Sequence, residues 1–304
     1  MLHRELVFVT GKGGVGKTTV ALALAIAAAR DGRRAIVCET SGQDRAAGLF
    51  GRSGAPAGDE IALADRLWAT SIDPLRALEE WAGRQIGSQR LVGVLSRSNA
   101  FAAFVGAAPG ARELLTITKA WELGRHDRWN RRARGYDLVV VDGPASGHGL
   151  GMLRTPRTFA EIARVGPIAS QARRVTELLE DQSRSAVIAV AHAAEMPVSE
   201  TLDLEQRLHG DFGRHLDAIV VNGLLPRRFS AADIEDLASA DGAVPGAVAA
   251  AVRSQHGQAA AQQGQLRRLR RHATADVVTL PFVPHASLLL DDVRSLATAL
   301  AGRV

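Results

Sequence analysis

Eight consecutive residues, Gly11-Lys12-Gly13-Gly14-Val15-Gly16-Lys17-Thr18, constrain this chain more than any other feature. They satisfy G-x-x-x-x-G-K-[ST] and stand where that pattern needs to stand, between a β-branched apolar run at 6–10 and a helical run at 18–30. Glycines let the backbone curl until successive N–H groups converge on phosphate oxygens, and the following helix adds the positive end of its dipole. The motif predicts a phosphate-binding loop for ATP or GTP, with Gly11, Gly13, Gly14, Val15, Gly16, Thr18 and Thr19 as the cradle. Lys17 is expected at the β/γ-phosphates and Thr18 on Mg²⁺. A featureless glycine turn is the bland alternative, and the strand–loop–helix context disfavours it.

Such a loop needs a second carboxylate for the metal. Leu138-Val139-Val140-Val141-Asp142 supplies a buried strand ending in an acid, so Asp142 is the expected partner of Thr18 around Mg²⁺. The glycine-rich run 143–156 after it is able to follow a γ-phosphate as switch loops do. Within that run His148 has two readings, a phosphate sensor or a cap on the next helix. Lys12 adds a positive charge that a minimal phosphate loop does not need. In loops of this deviant type the extra lysine reaches across a dimer to the partner's nucleotide and neutralises charge there, the plain alternative being a solvated lysine.

Further β-branched runs at 35–40, 67–72, 136–142, 185–191, 218–222 and 277–280 alternate with helical stretches, which predicts a doubly wound, mostly parallel α/β sheet covered on both faces. The 304 residues suit a single domain of this kind. One interval breaks the alternation. Residues 74–134 carry no convincing strand, yet apolar residues recur at helical spacing: Leu75, Leu78, Trp81 and Ile86, then Leu91 to Leu95, then Phe101, Phe104 and Val105, then Leu114, Leu115, Ile117 and Trp121. An inserted helical subdomain is expected there, with 167–182 a candidate to join it. Residues 241–265, rich in Ala, Gly and Gln, are poorly periodic and read as a mobile segment.

Apolar residues make up 46% of the chain but aromatic residues only 4%, so Ala, Val and Leu must fill the core. The excess of Arg and Ala points to a GC-rich bacterial genome, and the net charge of +5 names no partner by itself. A single cysteine, Cys38, excludes an intrachain disulfide and a multi-cysteine metal cage and fits a reducing cytoplasm. The N-terminus lacks the pattern of a signal peptide, and the longest apolar run, 20–29, is too short to span a bilayer. The cluster Arg267-Arg268-Leu269-Arg270-Arg271-His272 has no interleaved aromatics. It reads as a solvated helix face, which disfavours a nucleic-acid partner, and the apolar spacing of 288–296 suits a helix docked on the sheet.

Taken together, these residues resemble the ArsA/Get family of P-loop NTPases, which comprises arsenite-pump ATPases and targeting ATPases for tail-anchored membrane proteins, within the wider group holding ParA and MinD. The loop 12–19 belongs to the wider group. Residues 142–156 look like the narrower family's D-x-x-P-x-G-H-x-L-x-x-L-x-x-P switch II, with Ala145 where proline is usual. Leu67 to Pro74 is similar to its third-strand segment, Pro109-Gly110-Ala111-Arg112-Glu113 to its P-G-x-x-E element, and Met196 to Thr201 to the opening of a later helix. The resemblance implies a cytoplasmic ATPase that uses ATP and Mg²⁺, works as a homodimer or as a heterodimer with a paralogue, and serves a protein client through which it contacts a membrane peripherally. It also implies adenine recognition by Asn222, with Pro281 and Phe282 packed around the purine.

Departures from the family pattern are equally specific. Its switch I carries S-T-D-P-A-H, whose aspartate positions the attacking water. Spacing back from Phe50 places Glu39-Thr40-Ser41-Gly42-Gln43-Asp44 there, with Ser41 at the aspartate. Either Glu39 or Asp44 substitutes, or the subunit hydrolyses slowly and relies on a competent paralogue. Cys38 alone provides neither an arsenite thiolate set nor a C-x-x-C zinc clasp. Two functions stay open: an ATPase that drives a client cycle itself, and a hydrolysis-deficient subunit that completes a heterodimer. A ParA- or MinD-like positioning ATPase is a more distant alternative.

Overall fold

The computed structural model describes residues 1–86, 109–239, 244–285 and 287–303. Its centre is an eight-stranded sheet. In chain order the strands are β1 (Leu6–Thr10), β2 (Ala35–Glu39), β3 (Ile61–Ala64), β4 (Leu67–Ser71), β5 (Leu138–Asp142), β6 (Ser185–Ala191), β7 (Ala218–Leu224) and β8 (Val277–Pro281). They lie side by side as β3-β4-β2-β5-β1-β6-β7-β8, all parallel except β3. The expected doubly wound, mostly parallel α/β sheet is therefore present.

The apolar runs became central strands because helices cover both faces. β1, β2, β5 and β6 are buried at every position, as a strand sandwiched between two helical layers must be. One face packs on α1 (Lys17–Arg30), whose stretch from Val20 to Ala28 is wholly buried, and on the C-terminal helix α10 (Leu290–Leu300). Small alanines let α1 sit deep in the molecule, and Arg30 ties it to α10 by donating to the Arg294 carbonyl and the Thr298 hydroxyl. The helix read near 288–296 thus docks where its apolar spacing indicated. The opposite face carries α4 (Ala111–Leu123), α5 (Ser146–Ala163), α6 (Pro167–Glu180) and α7 (Glu195–Phe212).

Inside the interval 74–134, α3 (Pro74–Ile86) and α4 occupy the described residues. The helical spacing at Leu91–Leu95 and at Phe101–Val105 lies outside them. A buried polar cluster braces α4. Arg128, 1% exposed, donates from Nε to Glu122 at 2.7 Å and from Nη2 to Glu60 at 2.6 Å. Lys119 reaches the other Glu122 oxygen at 2.9 Å, and the Tyr136 hydroxyl donates to Glu60 at 2.7 Å. Buried charges demand such partners.

One strand went unread in the sequence, and one expectation is corrected. Ile61–Ala64 forms an antiparallel edge strand on β4 that the alternation of long apolar runs did not reveal. Its buried/exposed alternation is confined to a short edge, too short to register as a strand signal. The supposed mobile stretch is mostly helical instead, since α9 (Gly246–His272) runs unbroken for 27 residues. Only Ala249, Ala259, Leu266 and Leu269 on it are buried, so a narrow contact stripe left little periodicity to read. Its last two turns carry the basic cluster, with Leu269 buried and the Arg and His residues exposed. Cations at a helix C-terminus complement its dipole. α2 (Arg45–Leu49) and α8 (Ala231–Ser239) complete the helices of the described residues, among which none is long and apolar enough to cross a membrane.

Candidate functional site

The C-terminal ends of β1, β5 and β6 gather the expected site residues. β1 pairs with β5 on one side and β6 on the other, so the loop leaving β1 sits over the middle of the sheet. Gly11 is at φ +139, and a Cβ there would stand 2.1 Å from the Val190 carbonyl oxygen, so only glycine lets the loop leave so close to β6. Gly16 is at φ +91, where a Cβ would lie 2.3 Å from Nδ2 of Asn222.

The loop borders a cavity of about 720 Å³ walled by Gly13, Gly14, Gly16, Lys17, Thr18 and Thr19 on one side and by Asp142 to Ala145 on the other. Lys17 Nζ donates to the Lys12 carbonyl at 3.2 Å. Burial pulls the Lys17 ammonium below its ordinary range, and the Asp142 carboxylate opposes that. Thr18 Oγ1 donates to Asp142 Oδ2 at 2.6 Å, while the other carboxylate oxygen, Oδ1, is buried and has no hydrogen-bond partner. Burial raises the Asp142 pKa above the usual carboxylate value, against the Thr18 hydrogen bond and the charges of Lys17 and Arg45. A desolvated carboxylate with one orphaned oxygen, next to a hydroxyl, is a hard-cation donor set of the kind Mg²⁺ takes. The residues present fit that ion.

A second cavity of about 880 Å³ shares Thr19 and Leu288 with the first and is lined by Asn222, Pro281 and Phe282, together with His192 and Gln262. The three residues assigned to the base are thus brought together beside the phosphate loop. Asn222 is also engaged elsewhere, donating from Nδ2 to the Val15 carbonyl at 2.9 Å across 207 positions of sequence. Gln262 holds the loop after β7 from the opposite side, accepting from Leu225 N at 2.8 Å. Burial lowers the His192 pKa, which favours the neutral imidazole in this pocket.

Other expected residues stand apart. Lys12 points to α7, where its Nζ pairs with Glu200 at 2.6 Å. Glu39 is 1% exposed and turned toward α2, accepting from Arg45 N at 2.9 Å and Ala46 N at 3.3 Å. Burial raises its pKa, while those two backbone hydrogen bonds act against the rise. Neither Glu39 nor Asp44 contributes to the wall of the phosphate cavity, where Ser41, Gln43 and Arg45 stand instead. Asp44 has φ +41 and turns the chain into α2. His148 lies in the first turn of α5 and lines an adjoining crevice of about 360 Å³ that shares Ser41 and Pro144 with the phosphate cavity and is completed by Arg112 and Glu113. Arg45, Gln43, His192 and Gln262 were not singled out from sequence. The available signal for Arg45 was its place just after the second parallel strand, at the ligand-binding edge of such sheets.

The family described as anion-transporting ATPase matches residues 4–165. The chain is 30% identical over 251 residues to the ATPase BagA of Mycobacterium tuberculosis (strain ATCC 25618 / H37Rv), covering 78% of this chain and 70% of that protein. It is 26% identical over 267 residues to the ATPase GET3 of Kluyveromyces lactis, covering 76% and 75%. It is 24% identical over 246 residues to the arsenical pump-driving ATPase of Escherichia coli, covering 74% of this chain and 40% of that protein. With a phosphate loop, a strand-end aspartate and a family match across more than half its length, this chain belongs to the anion-transporting ATPase family, the ArsA/Get group that its motifs resemble.

Proposed function

We propose that this chain binds ATP with Mg²⁺, hydrolyses it to ADP and phosphate, and couples its nucleotide state to association with a second ATPase subunit and a protein client. The observation that carries the reading is the Thr18–Asp142 pair beside Lys17, with the second Asp142 oxygen buried and unpartnered in a cavity that adjoins Asn222, Pro281 and Phe282. In that arrangement the loop amides and Lys17 bind and orient the phosphates, Thr18 and Asp142 hold the metal, and the metal supplies charge neutralisation at the phosphate oxygens. Asn222 both donates and accepts, as an adenine edge requires.

Support for client coupling comes from residues 74–134 joined by 167–182, which we take as one helical lobe within a single domain, 1–304. There α3, α4, α5 and α6 enclose an apolar cavity of about 280 Å³ lined by Leu78, Trp81, Leu114, Phe159 and Ile168. Beside it Ile162 and Val165 are 73% and 81% exposed. The second reading, a slow subunit completed by a paralogue, is favoured by Ser41 in the cavity wall and by Glu39 being committed to the α2 backbone.

Turnover of ATP with Mg²⁺ by the purified chain, compared with Lys17→Ala, tests the reading. Lys17→Ala is expected to abolish nucleotide binding, and wild-type ATP affinity in that variant would remove the central claim. Brisk turnover by the isolated chain would dismiss the slow-subunit reading.

A further inference from the structure

The geometry points to Arg45 as a cation supplied in cis to the terminal phosphate of the bound nucleotide. The inference rests on the ATPase reading above and adds a residue to its machinery. Arg45 opens α2 and lines the phosphate cavity together with Lys17, Thr18 and Asp142. Its charge is felt by both Lys17 and Asp142. Among the described residues no carboxylate stands within ion-pair distance of the guanidinium, that of Asp44 just before it included, and the loop residues that share the cavity wall with it, Ser41 and Gln43, bring no charge.

Sheet order decides which end of a nucleotide Arg45 meets. The base cavity lies over β6 and β7, where Asn222, His192 and Phe282 gather, and the phosphate loop leaves β1. Continuing in the same direction, the next strands are β5, bearing Asp142, and then β2, from which Arg45 follows. A nucleotide with its base on the β7 side therefore extends its phosphates toward β5 and β2, and Arg45 faces the far end. Its backbone is fixed there by Glu39, whose buried carboxylate takes the N–H groups of Arg45 and Ala46 and whose Cα is in register with Asp142. Glu39 is thus a positioning residue for Arg45.

Chemistry gives the cation its use. In hydrolysis a water oxygen bonds to the γ-phosphorus while the bond from that phosphorus to the β,γ-bridging oxygen breaks. The electron pair stays on the ADP oxygen, and a water proton is released with the product phosphate. Charge redistributes over the bridging and peripheral oxygens, and a planar guanidinium with paired donors matches it better than a point charge does. The triphosphate also carries more negative charge than Lys17 and one divalent cation neutralise.

The test uses the full chain, Arg45→Ala and Arg45→Lys, with MgADP, MgADP plus aluminium fluoride, and MgATP turnover as probes. We expect ADP affinity to stay within about threefold, while aluminium-fluoride complex affinity and turnover each fall by about tenfold or more in Arg45→Ala, with partial recovery in Arg45→Lys. Unchanged turnover and unchanged aluminium-fluoride affinity in Arg45→Ala would overturn the assignment, as would an equal loss of ADP and aluminium-fluoride binding. A parent chain that binds no ATP overturns the ATPase reading as well, which separates the two failures.

Discussion

Gly16→Ala isolates a contact that joins the phosphate loop to the far half of the sheet. At Gly16 the backbone is at φ 91°, ψ 31°, a left-handed conformation that costs an L-residue about 1–2 kcal/mol. The new Cβ would also stand 2.3 Å from Asn222 Nδ2 and drive that amide off the Val15 carbonyl. A neutral hydrogen bond of this kind contributes about 1 kcal/mol. The sum is about 2–3 kcal/mol, and the loop escapes it only by giving up the curl that aims its amides. Phosphate affinity should therefore fall by roughly 30- to 150-fold. Inorganic tripolyphosphate with Mg²⁺, titrated calorimetrically, reads the loop without any base contribution. Asn222→Ala alone loses the amide bond without strain, so about fivefold is expected. In the double variant the collision has no target, and the loss should equal that of Gly16→Ala alone, a coupling of about 1 kcal/mol. Fully additive losses, or a Gly16→Ala chain that binds tripolyphosphate within about threefold of the parent, would refute the clamp.

Three further outcomes are expected. Burial raises the Asp142 pKa, so Mg²⁺-dependent nucleotide affinity should be full above that pKa and fall as pH drops through it, at a higher pH than an ordinary aspartate near about 3.9 would show. By the same sign the ionised carboxylate destabilises the nucleotide-free fold at neutral pH, its stabilising contribution being present at low pH and lost on the way up. Asp142→Asn should therefore abolish Mg²⁺ stimulation without lowering the nucleotide-free Tm, and a lowered Tm with intact Mg²⁺ dependence would contradict this. Lys12→Ala should leave nucleotide binding intact but weaken ATP-dependent dimerisation in light scattering. Glu200→Gln should strengthen it by up to about fivefold, because the half-exposed pair that holds Lys12 at 2.6 Å contributes at most about 1 kcal/mol, and a monomer under every condition would sink the dimer proposal. Finally, Cys38 is fully buried with its thiol pushed well above the ordinary range, so maleimide labelling should proceed only as fast as the chain unfolds; rapid native-state labelling would show that β2 is not enclosed as described.

What the sequence by itself determined lies where a short stretch of chain carries its whole physical reason. The spacing from Gly11 to Thr18 requires glycine dihedrals and a following helix N-terminus, both local, and the continuous apolar runs at 35–38 and 138–141 have no stable home except a strand covered on both faces. Asp142 was legible because it ends such a run. The 27-residue helix α9 was not legible, since its few buried positions arise from docking along one narrow line and leave no amphipathic signature. Only the tertiary structure decided which charges meet. Asn222 reaches Val15 across 207 positions, and Lys12 meets Glu200 across 188. Glu39 left the cavity wall that its spacing suggested, and Arg45, unremarked in the sequence, lines it for the same reason: β2 sits between β4 and β5, which buries the strand-end acid against α2 and leaves the arginine that follows beside the phosphate cavity. Sequence spacing measures distance along the chain, whereas the field at a phosphate depends on distance through space, and here the order of the strands in the sheet sets the second.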